Sequence, residues 1–141
     1  MYKKILLAVD GSDASGNAIK HAIALAKNNN GTLIALYVIS PIYITDIETF
    51  KPEMLYRGLK QEGEKILADI KELAGKDGVE VMTRIEDGIP DEIICEVAGD
   101  SDADLIIMGS HGRTGFGKVF IGSVTERVIS KEKCCPVLVV R

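Results

Sequence analysis

Apolar runs and helical patterns alternate along this chain from end to end. Ile5 to Val9 is a short, continuous apolar run stopped by Asp10-Gly11, the pattern of a strand covered on both faces. Ser12 or Asp13 can cap the next segment, where Ala18, Ala22, Leu25 and Ala26 recur at helical spacing until Asn28-Asn29-Asn30-Gly31 ends it. Thr32 to Ile39, rich in β-branched and apolar residues, is a second strand. Leu55, Leu59, Ile66, Ile70 and Leu73 mark one face of a long helix closed by Gly75 and Gly78. Val79 to Ile85 alternates weakly and reads as a third strand. Pro90 suits the first turn of a helix carrying Ile93, Ile94 and Val97. Ala103 to Met108 is a fourth strand, Ser123 to Ser130 a last helix, and Pro136 to Val140 a fifth strand. Five strands separated by helical segments predict an α/β fold, a parallel sheet with helices on both faces. The long connection from Ser40 to Pro52, which holds Tyr43 and Phe50, is the one segment that breaks the rhythm; loops of that length in compact domains tend to carry function.

The length of 141 residues suits one domain, residues 1–141, with a real core. Hydrophobic residues make up 46% and charged residues 27%, a globular balance. A net charge of −4 and scattered basic residues argue against a nucleic-acid-coating surface and against a polybasic membrane patch. No apolar run approaches the ~20 residues that span a bilayer. After Lys3-Lys4 the apolar run is shorter than the ~7–15 residues of a signal-peptide core, so the start of the chain reads as a strand. Cys95, Cys134 and Cys135 form neither a CxxC pair nor a zinc spacing; they are expected as thiols in a reducing cytoplasm, with a strained Cys134–Cys135 bridge as the alternative. The expected location is cytoplasmic.

The stretch GSHGRTGFGKVFIGS, Gly109 to Ser123, carries the candidate chemistry. Gly112, four residues, then Gly117-Lys118 imitates a phosphate-binding P-loop. That motif, however, needs Ser or Thr next to the lysine and a helix starting there; Val119 follows instead, and the helix starts near Gly122-Ser123. A dinucleotide GxGxxG fails as well, because position 120 is Phe. A two-part cradle fits better. Gly109 and Gly112 let the backbone approach an anion without a Cβ in the way. Gly122, Ser123, Val124 and Thr125 offer N–H groups at a helix N-terminus, with His111, Arg113 and Lys118 as candidate counter-charges. A plain glycine turn with Ser123 capping its helix is the alternative. The stretch leaves the fourth strand at the rim where Asp10 leaves the first, and ligands in open α/β sheets bind at that rim where the strand order reverses.

Taken together, Gly109, Gly112, Gly122 and Ser123 reproduce the pattern G-x2-G-x9-G-[S/T], and the chain resembles the nucleotide-binding branch of the universal stress protein family. The resemblance extends to the strand followed by Asp10-Gly11-Ser12, to Gly88-Ile89-Pro90 before the third helix, and to the closing strand from Cys135 to Val140. It implies a Rossmann-like domain of the adenine nucleotide alpha hydrolase type, with an open five-stranded parallel sheet of order 3-2-1-4-5, and a homodimer through the C-terminal strand. It also implies ATP as ligand, with Mg²⁺ or Mn²⁺. Carried over by position, Asp10 would bond the ribose hydroxyls, and Ala8, Val9 and Val38 would line the adenine pocket, Val38 through its backbone. Met108 would pack beside the base or ribose, and Gly109, Gly112, Gly122, Ser123, Val124 and Thr125 would hold the phosphates. The resemblance assigns no role to the segment from Ser40 to Pro52.

Nothing in the chain marks a strong hydrolase. No acidic pair follows the cradle to hold magnesium, and no Glu or Gln is placed to orient water. The reading is an ATP-binding stress-response or regulatory switch with at most slow, partner-dependent hydrolysis. The alternatives are a dimeric interaction module without nucleotide and an ATP-pyrophosphatase-type adenylating enzyme, of whose SGGxDS loop DGSDAS is only a loose echo.

Overall fold

In the computed structural model, residues 1–40, 52–111 and 121–141 are described. Strands β1 (Lys4–Val9), β2 (Thr32–Ile39), β3 (Val81–Asp87), β4 (Leu105–Gly109) and β5 (Val137–Val140) form one sheet. Helices α1 (Asp13–Asn29), α2 (Pro52–Lys76), α3 (Pro90–Asp100) and α4 (Ser123–Ile129) connect them. The sheet order is β3-β2-β1-β4-β5 and every pairing is parallel. Fold class and strand order are those expected. Among the described residues no helix is long and apolar enough to cross a membrane.

The period-two alternation of β1 and β2 divides the core into two halves. Ile5, Leu7, Val9, Leu33, Ala35, Tyr37 and Ile39 face α1 and α2. Leu6, Ile34, Leu36, Ile106 and Met108 face α3 and α4, where Ile94, Val97 and Val128 meet them. Ile5, Leu6 and Leu7 are fully buried, which is why β1 reads as an unbroken apolar run. Ser12 caps α1, its Oγ accepting from the Ser15 N–H at 3.2 Å, and Asn30 ends the helix in the left-handed conformation.

Element boundaries move where the chain's ends of helices imitate strands. Val79 donates its N–H to the Ala74 carbonyl, so it belongs to the end of α2, and β3 begins at Val81 opposite Leu33. Ala103 likewise closes α3 through Ala98, and β4 begins at Leu105. Pro136 has no N–H to give and only accepts, from Ile106, so β5 begins at Val137.

The expectation of separate thiols is overturned at two of the three cysteines. Cys95 of α3 and Cys134, in the connection from α4 to β5, form a disulfide with Cα atoms 5.5 Å apart. Cys135 is free and half-buried. Both partners lie on the α3–α4 face of the sheet, a proximity that a separation of 39 residues conceals in the sequence. The alternative bridge, Cys134–Cys135, is not formed.

Candidate functional site

β1 and β4 are neighbours, so their C-terminal ends bracket the place where the strand order reverses. A cavity of about 250 Å³ opens there. Its floor is the α3–α4 face of the sheet: Ala8 of β1, Leu36 and Val38 of β2, and Met108 of β4. Pro90 and Ile94 of α3 form an apolar side wall. Asp10, Ser12 and Ser15, which follow β1, and His111, Gly122, Ser123, Val124 and Thr125, which follow β4, line its mouth.

Asp10 sits in a turn that the first residues after β1 build around it. Its Oδ1 accepts from the Ser12 N–H at 2.9 Å, its own N–H donates to Ser15 Oγ at 3.2 Å, and Gly11 takes a φ of 85° that a side chain would resist. Among the described residues Oδ2 has no hydrogen-bond partner. One carboxylate oxygen therefore fixes the side chain while the other is available at the cavity mouth.

After β4, Gly122 is the N-cap of α4 and supplies no side-chain cap. The first intrahelical bond runs from the Glu126 N–H to the Gly122 carbonyl, so the N–H groups of Ser123, Val124 and Thr125 have no acceptor among the described residues. Ser123 is the first helical residue; the alternative in which its hydroxyl caps the helix is not what forms. Two parts of the expected cradle are otherwise engaged. The Gly122 N–H donates to the Ser110 carbonyl at 2.6 Å, and the Thr125 hydroxyl donates to the Gly109 carbonyl at 2.8 Å. These bonds clasp α4 to the end of β4.

Gly109 also has a different reason to be glycine. A Cβ there would lie 2.9 Å from the Ala14 carbonyl carbon, Ala14 Cβ and the Ser15 N. Its missing side chain admits the first turn of α1, not an anion. Gly109→Ala should therefore destabilise the fold by about 1–3 kcal/mol, the usual cost of overpacking. A lowered urea midpoint checks this, and an unchanged midpoint would remove the packing explanation.

Ala8, Val9, Asp10, Val38, Met108, Gly109, His111, Gly122, Ser123, Val124 and Thr125 are thus gathered round one cavity. Val9 points its side chain into the opposite half of the core and meets the cavity otherwise. His111 is anchored by its carbonyl, which accepts from Ser12 Oγ at 3.4 Å, and by its Nδ1, 3.1 Å from Ser110 Oγ. Gly112, Arg113 and Lys118, with Tyr43 and Phe50 of the long connection, lie outside the described residues. Sequence reasoning missed Leu36, Pro90 and Ile94. Leu36 is two positions before Val38 on the same strand face, and Ile94 is one helical turn after Pro90, so both periodicities carried the signal.

Behind the cavity, Asp91 joins the two helices that flank it. It is 6% exposed, with Lys131 Nζ 3.3 Å from Oδ2 and Arg127 4.0 Å from Oδ1. The site as a whole offers an apolar slot with a carboxylate oxygen and three backbone donors at its mouth. Such an arrangement suits a flat ring that carries hydroxyls and an anionic tail. Among the described residues there is no group of three metal-ligating side chains.

Known proteins with this architecture are numerous. A universal stress protein of Methanocaldococcus jannaschii is 43% identical to this chain over its full length and 83% of the relative's own. The solved structure of another M. jannaschii protein, MJ0577, superposes with a TM-score of 0.86 at 40% identity, covering 99% of this chain and 96% of that one. A universal stress protein solved in complex with cAMP superposes with a TM-score of 0.75 at 25% identity, covering 99% and 97%. The sequence model of the universal stress protein family matches residues 1–141. With the strand order, the Asp10 turn and the cavity at the ends of β1 and β4 beside that match, the chain belongs to the universal stress protein family.

Proposed function

We propose that this protein binds ATP in the cavity at the ends of β1 and β4 and serves as a nucleotide-dependent regulatory switch in the cytoplasm. The observation that carries the proposal is the pairing of two unsatisfied sets of groups at one apolar slot. Among the described residues Asp10 Oδ2 lacks a partner, and the N–H groups of Ser123, Val124 and Thr125 lack acceptors. The adenine base lies on Ala8, Leu36, Val38 and Met108 against Ile94. The ribose hydroxyls donate to Asp10, and the phosphates accept from the start of α4. The relative solved with cAMP supports an adenine nucleotide as the ligand.

A Mg²⁺ or Mn²⁺ ion, when present, neutralises phosphate charge. Because the described residues offer no metal cage, such an ion is held chiefly by phosphate oxygens and water, with the Ser123 hydroxyl within the same part of the site. The described groups at the cavity bind and orient. Hydrolysis is accordingly slow or dependent on a partner.

The test is calorimetry with ATP, cAMP, AMP and adenosine, together with identification of any small molecule released by heat from protein purified without added nucleotide. Recovery of no nucleotide, with no heat of binding at millimolar ATP, would leave a dimeric interaction module as the reading. Ser123→Ala should weaken ATP by about 2–10-fold, the worth of one neutral hydrogen bond, and leave adenosine nearly unchanged. Gly112→Val, at the second glycine of the motif, should show the same preference for damaging ATP. Lys118→Ala should have a mild effect; near-total loss of ATP binding in that variant would restore the P-loop reading.

A further inference from the structure

The disulfide between Cys95 and Cys134 occupies a position that matters to two parts of the molecule at once. Cys95 follows Ile94, which walls the cavity, on α3. Cys134 lies just before Pro136, whose carbonyl accepts from Ile106 and begins the attachment of β5 to the sheet. The Sγ–Sγ bond therefore ties the cavity wall to the root of the edge strand. All three cysteines are half-buried rather than enclosed in the core.

The fold does not depend on this tie. Each face of the sheet has its own buried apolar cluster, and α3 is held to α4 independently by the Asp91–Arg127 ion pair and by packing of Ile94 and Val97 near Val128. Disulfides serve as permanent staples mainly in small domains that lack such a core. The odd cysteine points the same way. A chain matured where disulfides are permanent gains nothing from a free thiol next to one, because it invites reshuffling. Burial, helped by the charge of Asp104, holds the Cys135 thiol above its ordinary pKa. It therefore stays protonated near neutral pH and competes poorly for Cys134.

We propose that Cys95 and Cys134 are a reversible thiol–disulfide site, whose oxidation by a glutathione-type disulfide locks α3 to the root of β5 and whose reduction by a dithiol releases them. The chemistry balances in two exchange steps. A thiolate from one cysteine attacks glutathione disulfide, forming a mixed disulfide and expelling one glutathione thiolate. The second cysteine then attacks the protein sulfur of that mixed disulfide and expels the other. Two protons and two electrons leave the protein, and one glutathione disulfide becomes two glutathione molecules. A dithiol reverses the sequence and is itself oxidised to a disulfide.

The full-length protein is treated with glutathione disulfide or with dithiothreitol, quenched in acid, unfolded and alkylated for mass spectrometry. The expected result is one adduct, at Cys135, after oxidation and three after reduction. Native-state amide exchange should be about tenfold faster in residues 131–136 and in α3 after reduction, with the core strands unchanged. Cys95→Ser and Cys134→Ser should each show the fast exchange in both buffers, whereas Cys135→Ser should still respond. Three adducts after oxidation, retained glutathione mass, or an adduct at Cys95 (the sign of a Cys134–Cys135 bridge) would each overturn the assignment. So would a bond that resists dithiothreitol in the folded protein, or exchange rates that ignore the redox state.

Discussion

Asp10→Ala is expected to weaken ATP and adenosine by the same factor, about 10–150-fold. That factor corresponds to the ~1.5–3 kcal/mol of a hydrogen bond to a charged group. The equality matters as much as the size. Asp10 lies at the ribose lip, so every ligand with an intact ribose loses the same contact, whatever its tail. The variant also loses the acceptor for the Ser12 N–H, so a local structural effect must be separated from a lost contact. Asp10→Asn makes the separation: its amide oxygen can still accept from Ser12, yet its second position presents a donor in place of Oδ2. It should retain the thermal stability of the parent and still bind both ligands weakly. Calorimetry showing parent-like affinity in Asp10→Ala would take Asp10 out of the site altogether.

Val139→Lys should convert a dimer into monomers or into insoluble protein. β5 is an edge of the sheet, paired on one side with β4, and its other row of backbone N–H and C=O groups meets no strand among the described residues. It has no interior charge, and Leu138 is 38% exposed. A two-fold axis that sets the strand antiparallel to its copy satisfies the row and covers the leucine and valines in a closed contact. A lysine at the centre of that contact brings two like charges together at the axis and adds the burial cost of both. Light scattering on the parent protein at micromolar concentration is the first measurement; a monomeric parent removes the dimer. The experiment is independent of nucleotide, since β5 contributes no side chain to the cavity.

The strands themselves were legible because each rests on a pattern that residue type dictates, whereas their order 3-2-1-4-5 was legible only through the family resemblance. A strand covered on both faces must be apolar throughout, so β1 and β2 read cleanly. β3 was displaced by two residues because it is an edge: Met82 and Thr83 are exposed, the alternation is faint, and the apolar Val79 belongs to a helix end. Glycine is harder to interpret. The sequence shows that a Cβ is missing at Gly109 and not what occupies its place, which proved to be the backbone of α1 rather than an anion. Leu36 and Ile94 share the periodicity of cavity residues that were named, but a cavity lining and a core use the same side chains, so periodicity alone did not single them out. The cysteine pairing lay beyond reach for a related reason: which of three thiols meet depends on how α3 and the β5 connection pack, and no local pattern encodes that.

The clasp between β4 and α4 bears on how this protein can change over generations or in the hands of an engineer. The Gly122 N–H on the Ser110 carbonyl and the Thr125 hydroxyl on the Gly109 carbonyl pin both ends of the intervening stretch, whatever lies between them. Three of the four atoms in these two bonds belong to the backbone, so exchange of other side chains leaves the amides of Ser123 to Thr125 at their station as long as position 125 keeps a hydroxyl.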